Sequence, residues 1–217
     1  MRNKTFVVSC ALAVLSLAAP ALAGPPFICH SFEIGGTASL PWVDGDYLGM
    51  RGDYDITRVV ADTQGLLKPD MPTIARMETL RRAVLYASRD RVLAERLVAA
   101  LTARVHAADG TGHADALALF DAGYVLEAMN EIEMLGHHMG SDLALRGRTL
   151  AGMTRPDEGQ ALILKSAALR VDDPGIAFAL ALISKTEEKQ PHLLKARAAA
   201  KQDRLLATNM ARLHMLQ

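Results

Sequence analysis

The chain has 217 residues, with 24 basic and 24 acidic side chains and a formal net charge of zero at neutral pH. This balance argues against general nucleic-acid binding, which requires a surplus of basic residues. The length is sufficient for one ordinary domain with a sizeable hydrophobic core.

The first 23 residues have the pattern of an export signal. Arg2 and Lys4 precede an apolar run from Phe6 to Ala19, and Pro20 and the small residues of 21–23 follow it. We therefore predict a signal peptide over 1–23, cleaved after Ala23, and a periplasmic or secreted protein. A retained membrane anchor is the alternative, although the run is shorter than the ~20 apolar residues of a spanning helix. No later segment is long and apolar enough to cross a membrane.

Residues 24–55 are rich in glycine and proline, which favour turns and prevent long helices. This stretch also contains the only tryptophan, Trp42. We expect an irregular arm that lies against the rest of the domain.

Residues 56–217 carry apolar residues at helical spacing, and we predict a helical domain over this range. Asp55 is a candidate N-cap, a junction is expected at 88–90, and Gly136 is a natural helix end. A short helix begins at Ser141, and further helices begin near 155–158 and at Asp173–Pro174. The segment 176–183 is apolar on all sides and should be deeply buried. Pro191 is expected to open a last helix that runs nearly to Gln217.

This pattern predicts an all-α fold of stacked antiparallel helix pairs, either an α-solenoid of the tetratricopeptide type or an irregular bundle. A loose period of about forty residues lies in the range of helical repeats. The segment LFDAGYVLEAM resembles one helix of a tetratricopeptide-type repeat, although the rest of that repeat's pattern is missing.

Four segments, GPPFICHSFEIGGTASLPW, VADTQGLL, MPTIARMETLRRAVLYA and LFDAGYVLEA, resemble a group of exported bacterial helical proteins. The resemblance extends over most of the chain after residue 23. It implies that the arm is part of the domain, and it brings no catalytic residues to transfer.

Charge is unevenly distributed along the chain. The stretch 105–145 contains acids, histidines and methionines but no lysine or arginine, whereas seven arginines lie between 76 and 104. Within the acidic stretch, Glu133, Met134, His137 and His138 form a candidate metal site, because helical i, i+4 spacing would pair Glu133 with His137 and Met134 with His138. Imidazole with thioether suits copper, and imidazole with carboxylate suits zinc. The alternative is a solvated acidic helix face followed by a polar loop.

The adjacent residues Cys29 and His30 form a candidate thiol site. A thiolate beside an imidazole can act as a nucleophile or a metal ligand. In an extended segment, however, adjacent side chains point to opposite faces and would not act on each other. A buried thiol that fixes the arm to the core and an intermolecular disulfide are the alternatives.

Three functions follow from these patterns. The first is a non-enzymatic exported helical protein that binds a protein or peptide partner. The second is a periplasmic copper- or zinc-binding protein, and the third is a cysteine-dependent enzyme.

Overall fold

The structure, a computed structural model, describes residues 27–46, 48–110, 112–137, 141–155 and 157–216. Within these ranges the chain forms helices and no strand beyond one isolated bridge between Trp42 and Met50, so the predicted all-α fold is confirmed. The helices are α1 Val59–Leu66, α2 Thr73–Ala87, α3 Arg91–Gly110, α4 Ala116–Gly136, α5 Ser141–Leu150, α6 Glu158–Leu169, α7 Pro174–Ile183, α8 Thr186–Ala200 and α9 Arg204–Arg212. No described helix combines the length and the apolar character needed to cross a membrane. The predicted signal peptide, 1–23, lies outside the described residues.

Aspartates define several of the helix starts. The carboxylates of Asp90, Asp115, Asp173 and Asp203 accept hydrogen bonds from main-chain N–H groups in the first turns of α3, α4, α7 and α9. These bonds satisfy donors that the helix itself leaves without acceptors. The junction expected at 88–90 and the helix end expected at Gly136 are both present.

One helix boundary was predicted wrongly. Pro191 does not open a helix: it lies inside α8, and the chain breaks again before α9. Thr186, Glu187 and Glu188 form the first turn of α8, where acidic side chains favour helix initiation. The proline is only in the second turn, where it removes a single main-chain hydrogen bond.

Helix α4 lies at the centre of the helical domain. It packs against α2, α3, α5 and α6, and its contact with α6 is the most extensive in the described chain. These four helices lie one or two places from α4 along the chain, as they would in stacked helix pairs, so the contacts fit either the bundle or the solenoid-like alternative. Helix α7 is buried along most of its length, as its apolar sequence predicts.

The arm, residues 27–55, packs onto this bundle through both its apolar side chains and its main chain. Four of its apolar side chains are buried in the same core as the helices: Phe27, Ile28, Phe32 and Leu40. The side chain of Glu78 on α2 accepts a hydrogen bond from the N–H of Phe32, and Arg82 donates to the carbonyl of Leu40. The indole of Trp42 lies 4.9 Å from the Arg81 guanidinium carbon, in cation–π geometry.

The arginine-rich stretch is internal in part, whereas Arg89, Arg91 and Arg96 are exposed. Arg76 and Arg81 are fully buried, and Arg76 pairs with Asp121 of the acidic stretch at 2.7 Å. Arg104 pairs with the same carboxylate at 2.8 Å. Part of the charge contrast along the sequence therefore corresponds to ion pairs in the fold, in which Arg76 of α2 and Arg104 of α3 bind Asp121 of α4.

Candidate functional site

A groove runs between α6 and α8, with α7 as its floor. Both outer helices pack on α7, and a cavity of about 370 Å³ opens between them. Leu164 on α6 and Val171 in the following turn form one wall, Ala177 and Leu180 form the floor, and Pro191 lies on the opposite wall. Leu164 and Val171 are 42% and 58% exposed, so the groove presents apolar side chains directly to solvent.

The charged residues that line the groove are Asp173 and Lys195. Asp173 lines the groove, but its carboxylate is already engaged. It accepts hydrogen bonds from main-chain N–H groups of α7 and from the side chains of Thr73 and Arg170. Lys195 forms no ion pair with the residues that the structure describes. Burial, and then the charge of Lys195, lowers the pKa of His192, which favours the neutral ring at neutral pH.

A second cavity, which we call the acidic cavity, lies where α4 and the start of α6 meet the arm. Its volume is about 250 Å³. Its polar lining consists of Glu127, Asn130, Glu131, Asp157, Gln160 and Lys185, and its apolar lining of Phe27, Met134, Leu182 and Ile183. Gln160 is one helical turn before Leu164, and its amide donates to Glu188 of α8 at 3.0 Å. The acidic cavity and the groove therefore follow one another along α6.

Glu131 is the most unusual group in this cavity. It is only 4% exposed, and both oxygens of its carboxyl group accept hydrogen bonds from the main-chain N–H of Phe27, at 3.2 and 2.9 Å. Burial raises its pKa to about 8, although these hydrogen bonds act in the opposite direction. Burial also raises the pKa of Glu127, which accepts the Gln160 N–H at 2.8 Å.

Two other carboxylates, Glu78 and Asp121, are fully buried, and each has two arginine partners. Glu78 pairs with Arg81 and Arg82, and Asp121 pairs with Arg76 and Arg104. No ion pair of Glu131 is seen among the described residues, but the positive charge of Arg81 acts on its carboxyl and lowers its pKa. With a pKa of about 8, the Glu131 carboxyl is mostly protonated and neutral at pH 7, which avoids the cost of burying a charge.

Asp157 lies on the opposite side of the acidic cavity. It precedes α6 with a left-handed backbone (φ 63°), and its side chain does not cap the helix. Lys185 approaches its carboxylate at 3.8 Å, and both side chains are well exposed. An exposed pair at this distance contributes little free energy, so the two side chains can separate readily.

The residues of the predicted metal site are only partly described. Met134 is exposed and lines the acidic cavity, and Glu133 accepts a hydrogen bond from the N–H of Gly152. His137 follows the last residue of α4 and is exposed, whereas His138 lies outside the described residues. Within the described ranges, no cluster of three or more candidate ligands occurs. The copper or zinc site stays a prediction.

Cys29 and His30 line the same cavity, of about 260 Å³, between the arm and α9. The chain turns at 27–29 and is not extended there, so these adjacent side chains are not directed to opposite faces. Cys29 is half-buried, and burial together with the nearby Glu131 raises the pKa of its thiol. A raised thiol pKa disfavours the thiolate that a nucleophile requires.

Sequence reasoning missed Glu127 and Glu131, because it assigned the acids of α4 to a solvated face. A signal was present, since Glu131 lies seven residues after Tyr124 on a stripe that also includes Ala128 and Leu135, and these are all buried. Helical spacing alone does not show that the arm covers this face.

No family model, no curated protein and no solved structure matches this chain.

Proposed function

We propose that this is an exported, non-enzymatic protein that binds a peptide segment of a partner protein in the groove between α6 and α8. The observation that carries the proposal is the solvent-open apolar groove over α7, with Leu164 and Val171 exposed along one wall. Export itself stays a prediction from residues 1–23.

The groove favours an amphipathic segment. An amphipathic helix presents apolar side chains at i, i+3 and i+4, which is a common way to fill a groove between helices. Lys195 at the opposite edge favours an acidic residue on the same segment, because opposite charges improve both encounter and orientation. The expected partner segment is therefore apolar on one face with at least one acid beside that face.

Selection from a random-peptide display library against the purified protein tests this proposal. We expect enriched peptides with apolar residues at helical spacing and an acidic residue. Val171→Asp should weaken their binding by at least about tenfold, since it places a charge in the apolar contact.

Val92→Asp is the matched control. Val92 lies on α3, away from the groove, and is 62% exposed, close to the 58% of Val171. Peptides that bind the wild-type and Val92→Asp proteins equally but bind Val171→Asp weakly support the proposal. Absence of enrichment, or equal binding to all three proteins, would contradict it.

A further inference from the structure

We infer that the groove between α6 and α8 binds acidic side chains of its peptide partner through His192 and Lys195 together, and that its affinity for such a partner rises as the pH falls from neutral to mildly acidic. Both residues line the groove, and both lie on α8. The inference rests on the proposed function and deepens it, because it names the carboxylate contacts of the peptide and a condition that regulates its binding.

The first argument is where the polar groups of the groove lie. Of the described side chains that line it, only Asp173, His192 and Lys195 are polar, and both the α6 wall and the α7 floor are apolar. Asp173 is occupied by its contacts with the start of α7, with Thr73 and with Arg170. His192 and Lys195 are neighbours at i, i+3 on the α8 wall. A peptide with its apolar face toward α6 would thus place its acidic side chains along α8.

The second argument is that the charge of His192 changes near neutral pH. Burial and then the positive charge of Lys195 lower the pKa of its imidazole below the usual value of 6.5, so the ring is mostly neutral in the free protein at pH 7. A carboxylate of a bound peptide would favour the protonated ring, since it offsets the repulsion from Lys195. Binding of an acidic peptide would therefore take up a proton.

The groups around His192 leave this contact to the ligand. Glu188, one turn earlier on α8, favours the protonated ring, but its carboxylate also accepts a hydrogen bond from the amide of Gln160 at 3.0 Å. From α7 and α6 the described lining of the groove is apolar, with Leu180 and Leu164. Helix α9 also packs on α8, but no described group of α9 is among the charges that act on this ring.

The direction of the pH effect follows from this linkage. The pKa of His192 is higher in the complex than in the free protein, so the affinity is greatest below the free value and falls as the pH rises through the value in the complex. The glutamates of a peptide titrate at about 4.3 and stay charged over this range. We expect binding to be about threefold tighter at pH 5.5 than at pH 7.5, as a partly exposed ion pair allows.

The test uses a synthetic amphipathic helical peptide with leucines on one face and glutamates beside them, and the same peptide with glutamine in place of each glutamate. Fluorescence anisotropy gives the affinity at both pH values, and NMR of the imidazole protons gives the pKa of His192 with and without peptide. We expect the glutamate peptide to bind more tightly at pH 5.5 and to raise this pKa. The glutamine peptide should do neither.

Three variants separate His192 from the other titrating groups of the protein. His192→Gln should abolish the pH effect, because glutamine does not titrate. Lys195→Gln should weaken binding at both pH values and raise the pKa of His192, since it removes the charge that lowers it. His106→Gln is the matched control, because it removes an exposed histidine of α3 that does not line the groove, and it should keep the pH effect of the wild type.

The outcomes distinguish this inference from the proposed function. Equal affinity at the two pH values, or a pH effect that persists in His192→Gln, overturns the inference and leaves the groove proposal intact. A display selection that enriches only peptides without acidic residues does the same. If display peptides bind and the synthetic peptide does not, the most enriched acidic peptide takes its place in the same titration. Failure of both the selection and the synthetic peptide contradicts the groove proposal, and the inference with it.

Discussion

Glu131 joins the arm to α4 because its carboxyl group accepts the main-chain N–H of Phe27, and it also lines the acidic cavity. The unfolded carboxyl titrates near 4.5, and burial raises the pKa in the folded protein to about 8. Between these values the folded state holds a proton that the unfolded state has released. The contribution of this group to the free energy of unfolding therefore falls as pH rises from about 4.5 to about 8.

We predict that Glu131→Gln removes this part of the pH dependence. The glutamine oxygen can still accept from the arm, but the side chain does not titrate. Urea unfolding at several pH values should show a slope that is flatter by up to about 1.4 kcal/mol per pH unit. Glu133→Gln should leave the slope as in the wild type. An unchanged slope in Glu131→Gln would mean that Glu131 is already ionised in the folded protein at neutral pH.

Cys29 is the thiol of the arm, and its surroundings disfavour ionisation. In a Cys10→Ser protein, where Cys29 is the single thiol, we predict slow reaction with a disulfide reagent at pH 8. The reaction should be at least about tenfold slower than in the urea-unfolded protein, since both burial and the raised pKa reduce the exposed thiolate. Equal rates in the two states would revive the cysteine-dependent enzyme hypothesis.

At the scale of helices, α4 and α6 approach each other closely at two glycines. A Cβ atom at Gly123 would lie 2.6 Å from the carbonyl oxygen of Gly159, and a Cβ atom at Gly159 would lie 2.6 Å from that of Gly123. Neither position can hold a side chain unless the helices separate. This contact also sets the start of α6, and with it the positions of Asp157 and Gln160 at the acidic cavity.

We therefore predict that Gly123→Ala destabilises the protein by about 1–3 kcal/mol, through overpacking against main-chain atoms. Gly65→Ala on α1 is the control, because a Cβ there would meet nothing within 4 Å. It should be neutral or stabilising, since alanine favours helix. Thermal or urea unfolding measures both changes. Equal changes in the free energy of unfolding for Gly123→Ala and Gly65→Ala would show that the distance between α4 and α6 does not exclude a side chain at Gly123.

At the scale of the whole molecule, the arm and the helices share one hydrophobic core. Trp42, the only tryptophan, reports on the arm, where it packs against Tyr86 and Arg81. Circular dichroism reports on the helices. We predict that urea unfolding followed by tryptophan fluorescence and by circular dichroism gives coincident transitions, as expected of a two-state unit. An earlier fluorescence transition would mean that the arm detaches first.

The distance along the chain between contacting residues explains which expectations from the sequence are correct. The helix start at Asp173 and the helix end at Gly136 depend on contacts within a few residues, so spacing alone is sufficient to place them. The role of Pro191 was predicted wrongly, because a proline can either open a helix or lie in its second turn. Which of the two occurs depends on where the preceding residues begin the helix, here at Thr186. Both Cys29 and Glu131 needed the fold, since residues distant in sequence determine their burial.

The sequence by itself determined an all-α chain, the aspartate-capped start of α7 and the burial of that helix, because propensity and apolar periodicity are local properties. Only the tertiary structure decided that the arm covers one face of α4, that Arg76 and Arg104 neutralise Asp121, and that Glu131 accepts a main-chain N–H of the arm. It also decided that α6 and α8 stand apart over α7. The physical reason is that burial and charge pairing depend on which faces meet, and helical spacing does not specify that.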